Sequence, residues 1–112
     1  MADNDEQPDY HLLLEADEVT AASSALRLLI SDEAHEPVIR GLARDVIAEL
    51  EGAPDERGRV TLSLTPGQMK ITHSATRLLM NDLQRGQAEE RDTLRAILEK
   101  LPDEHVMRAI QI

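Results

Sequence analysis

Between Val60 and Leu64 the chain reads VTLSL, with apolar and polar residues in strict alternation, the period of a strand buried on one face. TPGQ follows at once. Thr65 can cap a helix, Pro66 suits its first position and Gln68 completes a capping box. Apolar residues then recur at helical spacing from Met69 to Leu83. Fifty residues upstream the order is the same. HLLLE reads as a more continuously apolar strand, Asp17 and Glu18 suit a helix N-terminus, and helical spacing runs on from Val19.

The two stretches are also alike in letters. Residues 12–32 laid on 62–82 without a gap agree at eight of twenty-one positions: Leu12/Leu62, Leu14/Leu64, Ser24/Ser74, Ala25/Ala75, Arg27/Arg77, Leu28/Leu78, Leu29/Leu79 and Asp32/Asp82. Ordinary composition gives roughly two such matches. A second helix follows in each copy. PVIRGLARDVIAELEG opens on Pro37 and stops at Gly52, with Val38, Ile39, Leu42, Val46, Ile47 and Leu50 as its apolar stripe. QAEERDTLRAILEKL carries Leu94, Ile97, Leu98 and Leu101 in the same role. After these the copies meet again on PDE, at Pro54–Glu56 and Pro102–Glu104, so that RAIQI at the end reads either as a third strand or as one more helical turn.

The predicted fold is therefore mainly α, of the α+β class: an internally duplicated β-α-α repeat with pseudo-two-fold symmetry, four main helices and two or three short strands. Repeat 1 covers about residues 10–56 and repeat 2 about 57–112, together one domain, behind an acidic tail at 1–9 expected to be disordered. A lone β-α-α unit of this size buries too little surface for stability, so each half is expected to supply the other's missing apolar partner.

Placed at 100° intervals, Val19, Ala21, Ala22, Ala25, Leu26, Leu28, Leu29 and Ile30 span about 200° of arc, as do their counterparts from Met69 to Leu83. A surface helix needs only about 100°, so these two helices are predicted to be central. Their remaining stripe carries Thr20, Ser23, Ser24, Arg27 and Ser31 in one copy and Lys70, His73, Ser74, Arg77 and Asn81 in the other. Ser23, Ser24, Arg27 and Ser31 in the first copy, and His73, Ser74, Arg77 and Asn81 in the second, are the candidate interface. Small polar side chains let another backbone approach closely, and a repeated arginine fork can hold a carboxylate or phosphate.

Composition narrows the function classes. With no Cys there is no disulfide or thiolate metal site. Tyr10 is the one aromatic residue, which removes the stacking platforms of single-strand nucleic-acid binders. The net charge of −10 argues further against nucleic acid, whose phosphates demand excess Lys and Arg. It is unevenly held: residues 1–56 carry fifteen acids and three arginines, residues 57–112 seven acids and nine bases. No run approaches the length of a membrane span and no basic, apolar leader opens the chain, so a cytoplasmic location is expected.

Catalytic signals are sparse. His11, His35, His73 and His105 stand far apart, with no H-E-x-x-H spacing. DEAHE, Asp32 to Glu36, gathers carboxylates around His35 in a predicted turn, where acids commonly cap the next helix. The serines lack a G-x-S-x-G context, and the five glycines are isolated. No enzyme, cofactor or metal is expected. The leading expectation is a small non-catalytic protein that self-associates as a homodimer or binds another protein. The first alternative is an acidic modulator of a basic partner, antitoxin-like or a nucleic-acid mimic. The second is a small-molecule or metal-binding protein with a site at the repeat junction, lined by Arg27, His73 and Arg77.

Overall fold

The computed structural model describes residues 10–32, 37–52, 54–83 and 86–101. The expected acidic tail, the end of the chain with its candidate third strand, and most of DEAHE lie outside these residues. Within them the chain is mainly helical with one small sheet. The elements are β1 (Tyr10–Leu14), α1 (Ala16–Asp32), α2 (Pro37–Leu50), β2 (Val60–Leu64), α3 (Pro66–Asp82) and α4 (Ala88–Lys100).

The two strands form one antiparallel ribbon in which Leu12 lies opposite Leu62, flanked by the pairs Tyr10/Leu64 and Leu14/Val60. Alternation decides which face is covered. Leu12, Leu14, Val60, Leu62 and Leu64 are buried against the helices, whereas His11, Leu13 and Thr61 face outward. On that open face His11 Nδ1 lies 3.1 Å from Ser63 Oγ across the ribbon. β1 is less continuously buried than its letters suggest, since Leu13 remains 44% exposed. The period of two holds even where the sequence is apolar throughout, because a pleat can bury only one face on a single layer of helices.

α3 starts as its sequence predicts. Gln68 N–H donates to Thr65 Oγ1 at 3.2 Å, Thr65 N–H donates to Gln68 Oε1 at 3.0 Å, and Pro66 stands in the first turn. α1 makes half of the same device. Glu15 N–H donates to Glu18 Oε1 at 2.8 Å, and no threonine stands opposite to return the bond. Glu18 is buried there and is completed from the far end of the chain: Lys100 Nζ donates both to its Oε1 and to the Leu13 carbonyl, the latter at 2.8 Å. One ammonium thus ties the end of α4 to the start of α1 and the edge of β1. The other edge of the ribbon is met by α2, where Glu49 Oε1 accepts the Ser63 N–H at 2.9 Å.

α1 and α3 pack most extensively on each other, and each also packs against both α2 and α4. This is the central position that their wide apolar arcs predict. Ala22, Ala25, Leu26 and Leu29 of α1 meet Met69, Ile71, Thr72, Ala75 and Thr76 of α3 in one core, closed by Val46, Ile47 and Leu50 of α2 and by Leu94 and Ile97 of α4. Thr72 and Thr76 are buried without cost in unpaired hydroxyls, because each donates back to the carbonyl four residues earlier, at 2.8 and 2.7 Å.

Two details differ from the sequence reading. Val38, placed on the apolar stripe of α2, is 60% exposed; the stripe begins instead at the half-buried Ile39 and Leu42. Gly41 reads as a mark of close helix packing or of a later helix start. The helix runs through it, and a Cβ added there meets nothing within 4 Å.

Candidate functional site

The eight stripe residues do not converge. On α1, Ser24, Arg27 and Ser31 are exposed and Ser23 is half-buried. Arg27 reaches along the surface, its Nε 3.4 Å from Ser23 Oγ and its terminal nitrogen paired with Glu51 just beyond α2. Ser31 turns its hydroxyl back onto the carbonyl of Arg27 at 3.0 Å. On α3, Ser74, Arg77 and Asn81 are exposed but His73 is only 8% exposed. His73, Arg77 and Asn81 share the lining of a cavity of about 330 Å³ with Met80 and Leu98. Arg27 is not among the described residues of that lining; it pairs with Glu51 instead.

Arg27 and Arg77 lie fifty residues apart on α1 and α3, which pack on each other, and their stripes meet different neighbours. A line of letters cannot show which neighbour each stripe meets. Here Glu51, just beyond α2, meets Arg27, and Leu98 of α4 lies beside His73 and Arg77.

A second and larger concavity, about 830 Å³, opens between α1, the end of α3 and the start of α4. Its floor is apolar, formed by Ala21, Leu79, Leu83 and Leu94. Its rim carries the carboxylates of Asp17, Asp82, Glu89 and Glu90, all exposed, with Thr20, Ser24, Gln87 and Thr93 between them. Among the described lining residues there is no Lys or Arg. Glu90 accepts from Gln87 Nε2 at 2.9 Å, Asp17 accepts from the Glu18 N–H at 2.9 Å, and Arg91 donates to the Leu83 carbonyl at 3.2 Å.

Sequence reasoning missed this cleft. Three of the four acids have an ordinary local reason, since Asp17, Glu89 and Glu90 stand in first turns where the helix dipole favours negative charge. Asp82 does not. It is the last residue of α3, where the dipole disfavours an acid and no basic residue in the last turn offsets it. That misplacement, present in the letters at both Asp32 and Asp82, is the signal that could have pointed here.

Titration and metal chemistry add little. Asp55, in the turn before β2, accepts from the backbone N–H groups of Arg57 and Arg59 and from Arg59 Nε, at 2.9, 2.9 and 2.8 Å. The backbone bond from Arg59, chiefly, holds its carboxyl below the ordinary aspartate value. This is a structural clasp on a surface turn. Among the described residues, no group of three or more His, Asp or Glu stands together as a metal site would require. No described helix is long and apolar enough to cross a membrane.

Among the described residues the chain is α+β, with four helices packed on one face of a two-stranded ribbon, two surface concavities, and one serine–histidine contact, His11 Nδ1 to Ser63 Oγ, on the open face of the ribbon outside both concavities. Comparison of the chain with protein-family models, with characterised proteins and with solved structures finds no match.

Proposed function

We propose that this is a non-catalytic association protein, built as a fused pair of β-α-α units and working through protein contacts, the first of them a second copy of itself. The fused-pair reading is supported by spacing. β1 and β2 are five residues each and start fifty apart, as do the seventeen residues of α1 and α3. The ribbon register sets Leu12 against Leu62, the same two residues that the sequence repeat aligns.

The association reading rests on one observation. With the core complete, Ser24, Arg27 and Ser31 of α1 and Ser74, Arg77 and Asn81 of α3 all remain exposed. Solvated helix faces usually carry long charged residues, whereas four of these six are short polar side chains, which leave room for a second backbone beside the two arginines. The test is sedimentation velocity of the wild type and of Ser24→Glu/Ser74→Glu. A dimer that the double variant shifts towards monomer supports the reading; a wild-type monomer at tens of micromolar contradicts it.

An open antiparallel ribbon also has the dimensions to enter a DNA major groove. Charge speaks against that use. The outward face presents His11, Leu13, Thr61 and Ser63, with no Lys or Arg to meet phosphate, on a chain of net charge −10.

A further inference from the structure

The cleft between α1, α3 and α4 has a use that self-association does not cover. We propose that it is a docking groove for a cationic amphipathic helix of another protein, an apolar ridge seated on the floor and Lys or Arg side chains lying along the carboxylate rim. The proposal rests on the association reading, and names a partner chemistry for a surface distinct from most of the polar stripes.

Charge complementarity carries the argument. Carboxylates from three separate helices, Asp17 on α1, Asp82 on α3, and Glu89 with Glu90 on α4, surround one apolar floor, and no described lining residue is a cation. Four carboxylates around one concavity give it a negative field that a cationic ligand would complement. Helix dipoles account for three of them and work against Asp82. The floor supplies what a purely electrostatic patch lacks: Leu94 is fully buried beneath it, while Leu79 and Leu83 are half-buried and still open to a ligand.

The same features choose the occupant. The carboxylates are exposed, come from three helices and border an apolar floor in a concavity of about 830 Å³, a combination that suits helix-in-groove recognition. Convergence of the polar groups on one point would instead have suited a small ligand. A second copy of this chain is disfavoured as the occupant, because its described helices mix acids with bases and none is a cationic amphipathic helix.

The experiment uses the full chain and a dye-labelled Leu/Lys amphipathic peptide of about 18 residues, long enough to hold a helix. Its counterpart has every Lys replaced by Glu. Fluorescence anisotropy at low salt is expected to show binding of the Lys peptide alone. Asp82→Asn/Glu89→Gln/Glu90→Gln should weaken it about ten-fold or more, as should raising salt to about 0.3 M. Leu83→Ser tests the floor and is expected to weaken binding at unchanged charge. Both variants are checked for wild-type circular dichroism, and the neutralised variant should keep the wild-type sedimentation coefficient, so that loss of the groove is distinguishable from loss of self-association. Failure of the Lys peptide to bind, equal binding of the Glu peptide, or undiminished binding by a folded variant of either kind would overturn the proposal.

Discussion

At the scale of single residues, two positions bear more than their surroundings suggest. Lys100 is one. Its ammonium satisfies Glu18 and the Leu13 carbonyl, and Glu18 is 5% exposed. Removing it leaves a buried carboxylate whose remaining partner is the Glu15 N–H. Lys100→Ala is therefore expected to cost about 2 kcal/mol in urea unfolding. Adding Glu18→Gln should recover part of this, since Gln68 already performs the capping role at the matching position of α3. Additive losses in the double variant would contradict the coupling. Gly58 is the other. It holds φ +79° in the turn before β2, and a Cβ there would lie 3.0 Å from the Ala16 Cβ at the head of α1. Gly58→Ala should lower stability by about 1–2 kcal/mol through backbone strain before any clash is counted. A midpoint equal to the wild type would show that the turn relaxes freely. Neither role was legible in the letters. Lys100 and Glu18 are 82 positions apart, and isolated glycines look alike until their dihedrals are known.

At the scale of elements, local sequence carried much further. The strand VTLSL, the capping box on Thr65 and Gln68, and the span of α2 from Pro37 all follow from patterns shorter than twenty residues. Such patterns depend on period and on end groups, which a chain displays directly. What failed was assignment to a face at an element's edge. Val38 has an apolar letter at the right spacing, yet it sits in the first turn of α2, beyond the reach of the neighbouring core. His73 failed in the opposite sense, a polar letter buried at the margin of α3 and α4. Gly41 yields a prediction at this scale. It weakens the middle of α2 and a methyl group would meet open space, so Gly41→Ala should raise stability by about 0.5–1 kcal/mol. Thermal and urea midpoints both check it, and a loss would mean that a Cβ there does meet a neighbour.

For the whole molecule, the α+β class and the order of elements were legible in the sequence, while the surfaces required coordinates. Matching strands fifty residues apart pair with each other in the centre of the ribbon, and matching helices pack as the central pair. The cleft was hidden because its four acids come from three helices, and only Asp82 stands out beside its own neighbours. The net charge of −10 says nothing of where on the surface the acids gather. Two surfaces now divide the work of association in this account: polar stripes for a second copy, and the acidic cleft for a cationic helix. The first of these is the central claim. Native mass spectrometry of the purified chain at low and moderate salt tests it most directly. The account predicts a species at twice the 12.5 kDa chain mass, with nothing added, at both salt concentrations. A monomer at both, with or without adventitious mass, would contradict it.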